Sequence, residues 1–171
     1  GVQTGQYDIA EEMPQERYQE LSGDSSLKFY VKTAGTINLF FNTTKGIMTN
    51  EQMRQAIMAC LNCDDIMLAS YGDPNLYVLN PGWCNPDDAS DAGSEYYNQN
   101  NIEKAKELLT EAGYNNEEIV LVTTPDYGEM YNATLVVQAE LQSAGINAVV
   151  ESYDFATFME HRANPDQFSL Y

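Results

Sequence analysis

The sequence predicts an α/β protein, a small mixed sheet with βαβ units flanked by helices. Two observations carry that class. From Ile119 to Ala163 a strand pattern, a helix pattern, a second strand and a second helix follow one another, the order of a right-handed crossover between parallel strands. Upstream, Leu27 to Thr33 and Thr36 to Asn42 are rich in aromatic and β-branched residues, the composition of further strands.

Taken in order, Tyr7 to Asp24 is strongly acidic and carries Pro14 ahead of a short helical pattern, Gln15 to Leu21. The two aromatic strands are separated by a turn at Ala34-Gly35. A helix follows, with Thr49 as N-cap and Gln52 three residues on, a capping box. Met53, Ala56, Ile57, Cys60 and Leu61 then form one apolar stripe at helical spacing. From Tyr71 to Asn100 the periodicity disappears among six Pro and Gly residues, Pro74, Pro81, Pro86, Gly72, Gly82 and Gly93. A loop of that length is usually functional or partly disordered, and Trp83, the single tryptophan, lies in its middle.

The next helix is the most regular in the chain. Asn101 caps it, and Ile102, Ala105, Leu108, Leu109 and Ala112 make its buried stripe. Gly113 supplies the left-handed residue that ends it, with Tyr114 folding back over the last turn. Ile119 to Thr124 has the apolar continuity of a buried parallel strand. Pro125 to Tyr131 reads as a turn, and Ala133, Val136, Val137, Leu141 and Ala144 form another stripe closed by Gly145. Ile146 to Tyr153 is the second strand, and Asp154 caps a last helix from Phe155 to about Ala163.

Charge excludes several functions. Eight basic against 26 acidic residues give a formal net charge of −18, which repels phosphate backbones and anionic membranes, so no nucleic acid is expected as a partner. No apolar run approaches the ~20 residues that span a bilayer. No targeting signal is visible, and the chain opens at Gly1-Val2-Gln3 as though cut from something longer.

Three cysteines, Cys60, Cys63 and Cys84, do not make a disulfide framework. Cys60 and Cys63 form a C-x-x-C, but at the far end of a helical pattern, whereas a redox pair starts a helix. With His161 as the single histidine, a four-ligand zinc site cannot assemble, and Cys60 reads as a core residue. No nucleophile elbow, His-Glu-x-x-His or phosphate-cradling loop is present. The chain therefore reads as a non-enzyme that needs no cofactor.

Four blocks in register carry a resemblance. They are Asn42 after an aromatic strand, Arg54-Gln-Ala-Ile57, Ala105-Lys-x-Leu-Leu-x-x-Ala-Gly-Tyr114, and Gln138-x-x-Leu-x-x-x-Gly-Ile146. Gly5 to Ile9 adds a Gly-x-x-Asp-apolar pattern. Over about 130 residues the chain resembles the extracytoplasmic solute-binding proteins of peptide- and nickel-type ABC importers, the oligopeptide- and dipeptide-binding family 5. The resemblance implies one lobe of a periplasmic-binding-protein-like clamshell. Residues 1–24 would be a strand entering the lobe plus an acidic helical segment, and residues 25–171 the ligand-binding lobe of a larger two-lobed protein.

The resemblance also implies where a ligand touches. It points to the turn before the Gln138 helix, with Asp126, Tyr127, Glu129 and Tyr131, and to the last helix with Arg162. Asn42 and, in the long loop, Trp83 with nearby Tyr77 complete the candidates. Relatives often place a basic residue at the turn; Asp126 and Glu129 here favour a cationic or neutral group over a carboxylate. The bland reading keeps both acids as solvated turn residues near a helix start and Arg162 as a residue answering its own helix end. His161 reads as a surface residue. The expected partners are a peptide or related small solute, the permease subunits of an ABC transporter and the second lobe of the same protein. The expected place is outside the cytoplasmic membrane, in the periplasm or at the cell surface through a lipid anchor. The rival is a protein–protein interaction domain of a cell-surface protein with no role in uptake.

Overall fold

The computed structural model describes residues 1–11, 13, 15–32, 35–81 and 94–171. Trp83, Cys84, Pro14 and part of the predicted Ala34-Gly35 turn lie outside the described residues.

The predicted crossover forms. Strand β1 (Ile119–Thr123) pairs in parallel with β2 (Ala148–Ser152), in register from Ile119 opposite Ala148 to Thr123 opposite Ser152. Leu170 bridges Leu121 in parallel on one side and Phe41 antiparallel on the other. The sheet is therefore mixed, in the order β2, β1, the segment around Leu170 and the segment around Phe41. Its antiparallel edge is held by Phe40 N–H donating to Tyr171 C=O at 2.8 Å and Asn42 N–H to Ser169 C=O at 2.9 Å.

Helices cover both faces. Helix α5 (Gly128–Ser143) joins β1 to β2 and sets Ala133, Val137 and Leu141 into one core with Ile119, Leu121, Ala148 and Leu170. Val122 points the other way along the strand, where α6 (Phe155–Ala163) lies against β1 with Phe158 fully buried. Helix α2 (Glu51–Cys60) packs on α4 (Ile102–Ala112) through Met53, Ile57, Ala105 and Leu109. Helix α3 (Cys63–Tyr71) packs against α5, and the short α1 (Gln15–Leu21) stands where its pattern predicts.

Local signals act as read in several places. Asn101 Oδ1 accepts the Lys104 N–H at 3.0 Å, and Gly113 takes φ 70° to end α4. The Tyr114 hydroxyl then donates to Glu117 C=O at 2.7 Å and accepts from Asn147 N–H at 2.8 Å, which ties the end of α4 to the start of β2.

Three expectations are corrected. The cap of α2 is Asn50, whose Oδ1 accepts the Gln52 N–H at 2.9 Å, while Thr49 closes a preceding 3₁₀ turn by donating to Gly46 C=O. Helix α3 goes unread in the sequence because its apolar residues keep no clear period; its signals are the Asn62 cap, Asp64 and Asp65 in the first turn, and Gly72 at φ 70°. The strands predicted over Leu27–Thr33 and Gly5–Ile9 are absent among the described residues. Strands need a ladder partner, and Thr36–Asn42 finds one only at its Phe40–Asn42 end.

Candidate functional site

The carboxyl ends of β1 and β2 lie side by side, and the chain leaves each into a helix. Beyond β1, buried Thr123 receives the Thr134 hydroxyl bond at 3.0 Å, and buried Thr124 accepts the Asp126 N–H at 3.3 Å. These two bonds shape the turn. Asp126 Oδ2 then reaches across to accept the Phe155 N–H at 2.7 Å. Beyond β2, Asp154 accepts both the Thr157 N–H at 3.1 Å and its hydroxyl at 2.7 Å. The Thr157 hydrogen bonds hold the Asp154 carboxyl below its ordinary value.

This pairing of turns brings two aromatic rings together at the edge. Tyr127 and Phe155 meet edge to face with centroids 5.1 Å apart and planes at 79°, and they remain 44% and 39% exposed. Such an edge-to-face pair is favourable in itself, yet each residue stays more than a third exposed. Glu129 and Tyr131, expected in a turn, instead lie in the first turn of α5, because the helix begins at Gly128. Tyr131 is half-buried in that first turn, and its backbone N–H donates to the Tyr127 carbonyl at 3.1 Å. Across the α3–α5 contact stands Tyr71, pushed above the ordinary phenol range by burial and secondarily by the charge of Glu129. The Tyr71 ring lies 6.2 Å from that of Tyr77.

The other candidates lie elsewhere. Asn42 is buried, and its amide is consumed inside the fold: Nδ2 donates to Pro165 C=O at 2.7 Å and Phe168 C=O at 2.9 Å, while Oδ1 accepts from Thr44 N–H, the Thr44 hydroxyl and Lys45 N–H. It sits level with Ser169 and Val120, toward the amino end of β1, and clamps the segment around Phe41 to residues 165–168. Arg162 is exposed, seven residues and about 10 Å along α6 from Phe155. Its guanidinium lies 5.4 Å from the centre of the Tyr171 ring, which stacks on Phe40 at 5.0 Å. His161 packs on Tyr153 with ring centres 4.0 Å apart and is half-buried. With Val120, Glu151 and residues 166–169 it lines an open hollow on the α6 side of the sheet. Trp83 lies outside the described residues. Phe155 and Tyr71 are rim residues that sequence reasoning missed. Phe155 was findable as the first helical residue after the Asp154 cap.

Cys60 and Cys63 are free thiols. Cys63 does begin a helix, α3, unlike the sequence expectation. Burial nevertheless pushes the Cys63 thiol up and the Cys60 thiol to about 12. That is the reverse of an activated redox pair.

The aromatic rim lies at the carboxyl edge of the parallel strands, the edge at which open α/β sheets hold ligands. The chain belongs to the bacterial extracellular solute-binding proteins, family 5, whose middle-region model matches residues 1–171. It is similar to the probable peptide ABC transporter periplasmic-binding protein y4tO of Sinorhizobium fredii, 28% identical over 182 residues, covering 96% of this chain and 32% of the relative. Among solved structures it resembles a putative peptide binding protein AppA from Clostridium difficile (TM-score 0.73, 21% identity, 93% of this chain and 34% of that one). It also resembles AgaA from Agrobacterium strain R10, solved with agropinic acid (TM-score 0.67, 29% identity, 77% of this chain and 27% of that one). The chain spans about a third of the length of these relatives.

Proposed function

We propose that this chain is a ligand-contacting lobe of the substrate-binding component of an ABC importer, capturing peptides or a related small solute outside the cytoplasmic membrane. The Tyr127–Phe155 pair carries the reading: two rings left outward at the carboxyl edge of the parallel strands, where open α/β sheets hold ligands. Asp126, Glu129 and Tyr131 stand around it as polar contacts, and Arg162 and Trp83 are held as outlying ones. Residues 25–171 form the lobe proper, and residues 1–24 lead into it. A second lobe of the same protein closes over the rim, so that bound solute stabilises the closed form by touching both sides. The closed form is what the permease subunits recognise. The solute leaves chemically unchanged.

Melting temperatures of the full-length protein, with and without a mixture of di- to pentapeptides, test the reading. A ligand at about 100 times its Kd adds about 2.7 kcal/mol of stability, which raises the melting temperature of the full-length protein. No shift with any peptide overturns peptide capture and leaves a protein partner as the reading to pursue.

A further inference from the structure

We propose that the rim of Tyr127, Phe155, Asp126 and Glu129 selects solutes that carry a cationic group on an apolar stem, such as lysine-containing peptides, and rejects carboxylates. This inference rests on the solute-capture reading and adds the class of group taken at that edge.

Helix starts ordinarily favour anions, so they must be weighed first. Two helices begin at this rim, α5 and α6, and each start is equivalent to about half a positive charge. Together they present roughly one positive charge, against three carboxylates at the same place, Asp126, Glu129 and Asp154. The balance is negative.

The donors an anion would need at α6 are moreover already taken. Asp126 holds the Phe155 N–H at 2.7 Å, and Asp154 holds the Thr157 N–H at 3.1 Å. Helix α5 has no side-chain cap, and Glu129 in its own first turn answers its positive end.

The nearest cation in sequence, Arg162, lies about 10 Å along α6 from Phe155 with its guanidinium over the Tyr171 ring. From Glu107 to His161 the chain holds ten Asp and Glu residues and not one Lys or Arg. Of the upstream basic residues, Arg54 is spent on the Met48 and Thr49 carbonyls and Lys45 pairs with Asp166.

What remains exposed is aromatic. A cation resting on the outward part of Tyr127 or Phe155 is attracted by the ring face, and its methylene stem covers apolar surface that is otherwise wet. A carboxylate gains neither effect and faces the three acids.

The test is calorimetric titration of the full-length protein with trilysine, trialanine and triglutamate at low salt, repeated on Tyr127→Ala and Glu129→Gln. The expected result is trilysine bound about tenfold or more tighter than trialanine, triglutamate weakest, and a trilysine-to-trialanine preference that shrinks at least about threefold in each variant. Tyr127 is exposed and Glu129→Gln is isosteric, so both variants are expected to keep the wild-type circular dichroism melt. Trialanine or triglutamate bound as tightly as trilysine overturns the inference while leaving solute capture standing. A trilysine preference undiminished in both variants also overturns it, because the selection then lies elsewhere in the protein. Failure of all three peptides to bind overturns the inference, because a rim that selects lysine-containing peptides must take trilysine, while the melt with the peptide mixture decides separately whether peptide capture falls.

Discussion

Glu140 stands on α5 with its carboxylate accepting the Asn62 backbone N–H at 3.0 Å, at the junction where α3 begins. Burial raises its pKa to about 7, and the charge of Asp65 pushes the same way, while the Asn62 hydrogen bond opposes both. The folded protein thus holds a proton here that the unfolded chain, with an ordinary carboxyl, gives up near pH 4.5. The contribution to stability is full below that pH and is lost as pH rises through about 7. Glu140→Gln keeps an acceptor for Asn62 and removes the titration. Its melting temperature should exceed the wild type's at pH 8 and approach it at pH 5. Equal differences at both pH values would contradict the assignment. Nothing in the sequence around Glu140 marks it, because the neighbours that bury it come from α3, the helix without a legible period.

Among the elements, the start of α2 separates a local signal from a tertiary one. Thr49 and Gln52 make a capping box on paper, yet Asn50 does the capping. Its Oδ1 takes the Gln52 N–H, and its Nδ2 donates to Ala112 C=O at 3.1 Å, at the end of α4. One amide therefore serves two helix ends. Asn50→Ala should cost about 1–2 kcal/mol in urea unfolding, the upper range of a cap loss, while Thr49→Ala, which loses one exposed hydroxyl bond, should stay within about 0.5 kcal/mol. The reverse order would restore the capping box. Helix α4 shows the other case. Asn101, the Ala105 and Leu109 stripe, and Gly113 all act as their sequence spacing predicts, because each partner lies within a few residues.

At the scale of the whole molecule, the sheet is completed by chain that is distant in sequence. Asn42 joins the segment around Phe41 to residues 165–168, more than 120 positions away. Losing its amide strips three donors and two carbonyls of their partner, several of them within reach of water. Asn42→Ala should cost about 1–3 kcal/mol, measured by chemical unfolding. Lys45→Ala breaks the neighbouring exposed pair with Asp166 and should cost well under 1 kcal/mol. Comparable losses from the two variants would show that surface charge, rather than the buried amide, holds this edge.

The sequence by itself determined the class of fold, the βαβ crossover, the punctuation of α4, the glycine-marked end of α5 and the family, since helical period, strand continuity and terminal glycines are all written within a dozen residues. It also marked Asp126, Tyr127, Glu129 and Tyr131 as one neighbourhood, being consecutive or nearly so. What only the tertiary structure decided was which groups meet. It brought Phe155 onto Tyr127 through the Asp126 bond across 29 positions. It turned Asn42 from a candidate contact into a buried clamp and set Arg162 against Tyr171, away from the rim. Such pairings depend on strand register and on which helix covers which face. Those are settled by burying apolar surface throughout the molecule, not by any local pattern.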